Sequence, residues 1–164
     1  MSAEKKPVVA ITIGDPAGIG PEITVATMMD KSVYDECKPF LIGSVPIISR
    51  AMKIMGCDFA IHKIAHPQEA RFSWGTLDVL ETGDYDCDSI EWGKVQKLAG
   101  QMSLDYVMKS IELGKAGLID VVSTAPIHKE AIKLAGCKLP GHTEIYQVET
   151  QSDYGLTMFH VHNL

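Results

Sequence analysis

The chain has 164 residues, a formal net charge of −6 and a sequence pI near 5.4, so it can form one domain with a sizeable core but offers no basic stripe for nucleic acid. Its four cysteines are scattered and form no Cys-x-x-Cys pair, which argues against a disulfide framework or a zinc ribbon. No apolar run approaches the roughly 20 residues of a membrane span and the N-terminal MSAEKKP lacks a secretory signal, so we predict a cytoplasmic protein with neither membrane nor nucleic acid as a partner.

The first predicted strand, residues 8–13, leads directly into a loop rich in glycine and proline. This loop has the sequence GDPAGIGPE, and its second proline, Pro21, lies where a helix is expected to begin. A strand, a glycine loop and a helix N-terminus together form a phosphate or cofactor site in many α/β proteins. The spacing matches neither G-x-G-x-x-G nor a P-loop, so the pattern by itself does not identify a ligand.

Strands and helices alternate along the middle of the chain. The predicted strands are residues 40–43, 59–64 and 77–80, and the predicted helices follow Ser44 as far as Gly56 and run from about Glu91 to Leu113. This alternation is typical of a parallel sheet. Two polar features are predicted to be structural: His62 on a strand face, and the acidic residues 84–88 in a solvated loop, because they lack the glycine and distal glutamate of an EF-hand.

Residues 119–144 hold the features that are most informative about function. Residues 119–123 are predicted to form a strand buried on both faces, followed by a short helix and an LPG turn that delivers His142, Thr143 and Glu144 together. An imidazole, a hydroxyl and a carboxylate just beyond a strand suit the binding of a polar ligand. Alternatively, a helix begins at this point and Glu144 complements its dipole.

The C-terminal residues predict one more strand, residues 157–161. His160 and His162 are two positions apart and would face the same side of it, but a His-x-His pair without a third ligand within reach is more typical of a surface or a core than of a metal site. A chain that stops at Leu164, directly after a strand, would leave a sheet edge uncovered. We therefore expect a fragment of a longer protein.

Three motifs, ITIGDPAGIGPEI, STAPIHKEAI and LPGHTE, together resemble the 4-hydroxythreonine-4-phosphate dehydrogenase (PdxA) family. The resemblance spans essentially the whole chain in order, and the family's chains are longer. It implies that residues 1–164 are the N-terminal part of a two-domain dehydrogenase whose remainder is absent from this chain. The fold it implies is α/β, an isocitrate/isopropylmalate-dehydrogenase-like α/β/α sandwich with a mostly parallel, truncated sheet. It also implies a homodimer with the active site between the domains.

The resemblance further implies the chemistry. The expected activity is NAD(P)- and divalent-metal-dependent oxidation and decarboxylation of a phosphorylated hydroxy acid, of the 4-phosphohydroxy-L-threonine dehydrogenase type that serves pyridoxal phosphate biosynthesis. The implied cofactors are NAD or NADP and a divalent metal (Zn, Mg or Co) with ligands beyond residue 164, which His160 and His162 do not match. The family's substrate-binding His-Thr pair falls on His142 and Thr143, and no catalytic residue is assigned.

Other positions and functions stay open under the same resemblance. Asp15 and Gly18 are expected near the cofactor, whereas His128 and Lys129 either add charge to the cleft or only start a helix. Close relatives in the family oxidise 4-phospho-D-threonate or 4-phospho-D-erythronate in sugar-acid catabolism, and nothing in these residues separates the substrates. A third possibility is an inactive fragment or a binding module, because residues 1–164 alone are not expected to complete the metal site.

Overall fold

The computed structural model describes residues 6–155, which form a parallel sheet with helices on both sides. The strands are β1 (Val8–Thr12), β2 (Lys38–Gly43), β3 (Ala60–Ile64), β4 (Thr76–Glu81) and β5 (Val121–Thr124). The helices are α1 (Gly20–Met29), α2 (Lys31–Glu36), α3 (Val45–Met55), α4 (Lys97–Lys115), α5 (Lys129–Leu134) and α6 (His142–Glu149). The predicted α/β class and parallel sheet are confirmed.

The strands pair in the order β3-β4-β2-β1-β5, and every pairing is parallel. β1 and β2 occupy the centre, where Ala10, Phe40, Leu41 and Ile42 are fully buried. Apolar residues follow one another without alternation here, as expected for strands that are covered on both faces. The main core of the protein therefore lies around β1, β2 and β4.

The helices divide between the two faces of the sheet. The connections β1 to β2 and β2 to β3 run toward one edge, whereas the connection from β4 to β5 runs toward the other edge. Because such crossovers are right-handed, α1 and α3 cover one face and α4 covers the opposite one. Consistent with this, α1 packs on α3, and α4 packs on β1, β2 and β5 and carries α5 and α6.

The prediction that residues 119–123 form a strand buried on both faces is wrong. Only Ile119, which precedes the strand, is buried, and the side chain of Val121 is 49% exposed. The reason is position: β5 lies at an edge of the sheet, and β1 is its one partner among the described residues. An apolar, β-branched run is compatible with either an edge or a central strand, so its composition could not decide burial.

Helix ends follow local chemistry, with two differences from prediction. α3 follows Ser44 and ends at Gly56, which adopts a left-handed φ of 65°, as predicted. α4 begins at Lys97 rather than near Glu91, because the Gln96 side-chain amide donates to the Glu91 carbonyl (2.6 Å) and folds this segment into a turn. The short helix α2, which the patterns did not predict, is capped by the Asp30 carboxylate, which accepts from the Ser32 N–H at 2.9 Å.

Two polar features singled out in the sequence, His62 and the acidic segment 84–88, lie outside the candidate site. His62 lies in β3 and its Nδ1 is 2.7 Å from Oδ1 of the buried Asp78 on β4, so it bridges adjacent strands. The acidic segment 84–88 lies in a loop in which its three aspartates are exposed. No helix within residues 6–155 has both the length and the apolar character needed to cross a lipid bilayer. The predicted strand at 157–161, with His160 and His162, lies outside the described residues.

Candidate active site at the carboxyl edge of the sheet

The point where the sheet changes direction lies between β1 and β5. These two strands are parallel neighbours, but α1 follows the first on one face of the sheet and α5 follows the second on the other face. In open parallel sheets, the loops that diverge at such a switch point leave a crevice at the carboxyl ends of the strands, where ligands bind. Here these loops are residues 13–19, the first corner, and residues 125–128, the second corner.

The two corners are held in direct contact. The Asp15 N–H donates to the carbonyl oxygen of Pro126 at 2.9 Å. A Cβ atom on Gly14 would collide with the same Pro126 oxygen, and Gly14 also has a positive φ of 72°. A Cβ atom on Gly20 would collide with the carbonyl oxygen of Ile13. Two of the loop's three glycines are therefore required for packing against the chain's own backbone.

Asp15 is the buried acid of the first corner. Asp15 is 5% exposed, and its Oδ1 accepts a hydrogen bond from the Ala17 N–H at 2.8 Å. Burial raises the pKa of Asp15, and the Ala17 hydrogen bond and the charge of His128 oppose this shift only in part. The structure thus places Asp15 close enough to the second corner for the charge of His128 to act on it. Gly18, by contrast, lies on the exposed outer turn of the loop.

His128 begins α5. Its Nδ1 accepts from the Ala131 N–H at 3.4 Å, which is the geometry of a helix N-cap. Two alternatives were predicted for His128 and Lys129: adding charge to the cleft or only starting a helix. The structure shows that His128 starts a helix, and the charge of Lys129 is not used in this cap.

After α5 the chain turns back, so that α6 begins beside the start of α5. A Cβ atom on Gly141, the residue that precedes α6, would lie 3.7 Å from Cε of Lys129. This contact links the second corner to His142, the first residue of α6. Pro126 thus contacts the glycine loop, and Lys129, three residues later, contacts the residue that precedes the His-Thr pair.

Two contacts with α4 fix this arrangement. α5 approaches so closely that a Cβ atom on Gly100 of α4 would collide with the carbonyl oxygen of Ala131. The Tyr146 hydroxyl of α6 lies 2.6 Å from Oγ of Ser110 on α4. A small apolar cluster fills the space between the three helices; its fully or nearly buried members are Val107, Ile111, Ile132 and Ile145. The start of α6 is therefore held by packing rather than by its own short helix.

His142 keeps an unused polar atom. Its side chain is half-buried, and Nε2 is buried without a hydrogen-bond partner in residues 6–155. Burial lowers the pKa of His142, so the ring is neutral at neutral pH. Thr143 is exposed and borders a cavity of about 300 Å³, and Glu144 lies in the first turn of α6. The predicted helix start is thus observed, and the role of His142 and Thr143 in binding a ligand stays a prediction.

Neither implied cofactor is assigned to the described residues. Residues 6–155 contain no group of three or more His, Cys, Asp or Glu side chains that could hold a metal ion. In the glycine loop, the N–H groups of Asp15, Ala17 and Gly18 already donate to Pro126 or to Asp15, which reduces the donors available for a cofactor phosphate. The nearness of Asp15 and Gly18 to a cofactor therefore stays a prediction.

Sequence patterns missed one support of the first corner. Nη2 of Arg50, on α3, donates to the Pro16 carbonyl at 2.6 Å, and the guanidinium lies 4.4 Å from the ring centroid of Trp92. The Gly93 N–H donates to the Ala17 carbonyl at 2.8 Å. Only the tertiary structure brings these distant residues to the glycine loop, and no local pattern signals the contact.

The chain has the architecture of open, parallel α/β proteins, a class in which ligands bind at the switch point beside the carboxyl ends of the strands. The family model described as "Pyridoxal phosphate biosynthetic protein PdxA" matches residues 35–164, and the chain belongs to this family. The resemblance predicted from the three motifs is thereby confirmed.

Relatives and solved structures agree with this assignment. A Clostridium botulinum protein named "Putative D-threonate 4-phosphate dehydrogenase" is 39% identical over 97% of this chain and 48% of its own length. A crystal structure of a 4-hydroxythreonine-4-phosphate dehydrogenase from Burkholderia phymatum has a TM-score of 0.88 and 37% identity, covering 92% of this chain and 46% of that one. The Klebsiella pneumoniae enzyme of the same name has a TM-score of 0.82 and 33% identity, covering 89% and 45%. The chain spans about half the length of these relatives.

Proposed function

We propose that the protein containing this chain is a dehydrogenase that oxidises and decarboxylates a phosphorylated hydroxy acid, using NAD or NADP and a divalent metal whose ligands lie beyond residue 164. Family membership and the dehydrogenase names of the relatives support the reaction class. The observation that carries the proposal to particular residues is the half-buried His142 imidazole, whose buried Nε2 has no partner in residues 6–155, beside the switch point.

In this proposal, His142 and Thr143 position the substrate. A neutral imidazole can donate to or accept from a substrate oxygen, and Thr143 offers a hydroxyl and a backbone N–H at a helix start. Hydride acceptance belongs to the cofactor, and the protein contributes binding and orientation of the reacting carbon. Packing of α6 on α4 and α5 supports that role, because a positioning residue must itself be held in place.

The named relatives suggest two substrates. The first candidate is 4-phosphohydroxy-L-threonine, on the model of the solved structures at 37% and 33% identity. The second is 4-phospho-D-threonate, on the model of the Clostridium protein at 39% identity. Its stereoisomer 4-phospho-D-erythronate is tested beside it because the family resemblance implies it. These substrates differ in carrying an amine or a hydroxyl at one carbon. The identities are too similar to favour one of them.

A substrate panel tests both the class and the choice. The full-length protein would be given each of the three phospho-acids with NAD or NADP and with Mg²⁺, Zn²⁺ or Co²⁺, and formation of the reduced cofactor would be followed by its ultraviolet absorbance. We expect turnover with one phospho-acid that is far above the others. Absence of turnover with all of them, together with absence of NAD and metal binding, would favour the inactive binding module instead.

Replacing His142 tests the assignment of the site. His142→Ala should lower kcat/KM about tenfold or more, because about 1.5 kcal/mol is typical of a hydrogen bond to a charged group. His66→Ala is the matched control, since His66 is exposed and makes no side-chain cap. Near-normal kinetics for His142→Ala would overturn the site assignment. Analytical ultracentrifugation of the same preparation would test the homodimer that the family resemblance implies.

A further inference from the structure

Lys129 differs from its neighbour His128 in having no structural task among the described residues. His128 uses its side chain to cap α5, whereas no ion pair within residues 6–155 includes Lys129. The Lys129 side chain is exposed, and its Cε lies against Gly141, immediately before His142. A cation is thus placed beside the residue that the proposed function assigns to the substrate.

The surroundings of Lys129 are positively charged on one side. A cavity of about 780 Å³ lies against α5 and the loop before α6, and its charged lining consists of Lys129, Lys133, Lys138 and one acid, Glu130. On the other side, Oε2 of Glu144 lies 3.7 Å from the position of a Cβ atom on Gly141. Three lysines against one glutamate give this cavity a positive potential that attracts an anion.

The start of α6 adds hydrogen-bond donors to this positive potential. Gly141 occupies the N-cap position and has no side chain, so no side-chain cap satisfies the first N–H groups of α6. A lysine ammonium is a compact charge with three donors on a flexible stem and is a common partner of phosphate. An anion held by Lys129 would lie at the start of α6, beside Gly141, the residue that precedes His142.

We propose that Lys129 is a further substrate-binding residue, which holds the phosphate group of the phosphorylated hydroxy acid beside His142. This rests on the proposed function, since it names a third residue of the same site. The rival role for Lys129 is structural: its ammonium would balance Glu144 and hold the start of α6. The two roles differ in whether removal of the charge changes phosphate binding or only stability.

The test compares Lys129→Met with Lys129→Arg and with Lys133→Met in the full-length protein. Lys133 is one turn further along α5 and lines the same cavity, so it controls for a general loss of positive charge. We expect Lys129→Met to raise KM for the phospho-acid about tenfold or more, with a smaller change in kcat. Lys129→Arg should recover most of the affinity, and Lys133→Met should raise KM much less than Lys129→Met does, because it removes one of the three positive charges of the cavity but no direct contact.

A second readout needs neither cofactor nor turnover. Inorganic phosphate would be titrated into each variant by calorimetry, and Lys129→Met should weaken its binding by a factor similar to the rise in KM. Unchanged phosphate binding, an equal effect of Lys133→Met, or a loss confined to thermal stability and shared with Glu144→Gln would overturn the proposal. If wild-type protein binds phosphate through Lys129 but oxidises no phospho-acid, the proposed function fails while the anion site stands.

A third arm separates the phosphate from the carboxylate of the substrate. The dephosphorylated hydroxy acid would be tested as an inhibitor, and its affinity should be the same for wild-type protein and Lys129→Met. If Lys129→Met weakens that inhibitor as much as it weakens the phospho-acid, then Lys129 binds the carboxylate and the assignment to phosphate is wrong.

Discussion

The two corners of the switch point use similar strand-to-helix turns for different purposes. In the first corner, residues 13–17 are buried and the glycines at 14 and 20 pack against the chain's own backbone. After the second corner, at the starts of α5 and α6, polar side chains are exposed or lack partners, including Lys129, His142 and Thr143. The glycine-rich loop thus forms the packed frame of the candidate site, while the starts of α5 and α6 carry its exposed or unpartnered polar side chains.

This difference separates effects on stability from effects on binding. Changes in the first corner and in the α4–α5 contact should destabilise the fold, because they displace backbone atoms that cannot move away. Changes at the exposed side chains should leave the fold almost intact and alter ligand affinity. Each of the following experiments tests whether the frame and the binding surface are separable in this way.

The largest loss of stability is expected for Gly14→Ala. Gly117→Ala is its control, since Gly117 has a φ of 68° close to the 72° of Gly14 but has no atom within 4 Å of an added Cβ. Left-handed backbone alone costs an L-residue roughly 1–2 kcal/mol, and overpacking adds about 1–3 kcal/mol. Urea unfolding should therefore show Gly14→Ala losing about 2–5 kcal/mol and Gly117→Ala about 1–2 kcal/mol. Equal losses would show that the contact with Pro126 is not tight.

The contact between α4 and α5 predicts the next largest effect. Gly100→Ala should cost about 1–3 kcal/mol, because the new methyl group meets the backbone of Ala131. Gly114→Ala lies in the same helix with open space around it, and it should be neutral or stabilise the protein by up to about 1 kcal/mol through helix propensity. Thermal unfolding followed by circular dichroism distinguishes the two, and a stabilised Gly100→Ala would contradict the close packing of α5.

A smaller effect is expected from the hydrogen bond that anchors α6. Tyr146→Phe removes the partner of Ser110 and should cost about 1 kcal/mol, because the Ser110 hydroxyl keeps its bond to the Val107 carbonyl. Tyr154→Phe is the control, since the Tyr154 side chain is 87% exposed. A modest rise in KM should accompany the loss in Tyr146→Phe, because α6 carries His142. Identical melting temperatures for the two variants would argue against an anchoring role.

The smallest expected effect is a pH dependence of stability that arises from His142. Burial lowers its folded-state pKa below that of an unfolded histidine, near 6.5, so the unfolded chain binds more protons as the pH falls through that value. Stability should therefore decrease on acidification from about pH 7.5 to 5.5, and His142→Asn should decrease less over this window. His66→Asn should retain the wild-type slope. A wild-type slope in His142→Asn would show that the ring is accessible to solvent in the folded protein.

Much of the fold could be predicted from local patterns. The strand-glycine-helix unit at residues 8–22, the stop at Gly56 and the parallel alternation follow from hydrophobic runs and from the chemistry of glycine and proline, which act over a few residues. The beginning of α4 was misplaced because an amphipathic pattern continues through residues 91–96, where a side-chain bond from Gln96 prevails over it. The exposure of β5 was missed because burial depends on neighbours that are distant in sequence.

The candidate site was predictable in part for the same reason. The His-Thr-Glu triplet after a Pro-Gly turn is visible in the sequence, both as a helix start and as a set of ligand groups. The structure confirms the helix start, and the ligand role of His142 and Thr143 stays a prediction. The approach of Lys129 to Gly141 depends on how the loop of residues 135–141 folds back over α5. No local sequence pattern predicts how this loop folds back, so the role of Lys129 could not be distinguished from that of His128 by sequence alone.

The sequence alone determined the alternation of strands and helices, the positions of the sharp turns and the membership of the PdxA family, because each of these is encoded in short runs of residues. The tertiary structure decided which turns meet. It places the glycine loop against Pro126 and the start of α6 against Lys129, and it leaves Nε2 of His142 buried without a partner in residues 6–155. The physical reason is that burial and unsatisfied polar groups are properties of packed neighbours, which only the folded chain brings together.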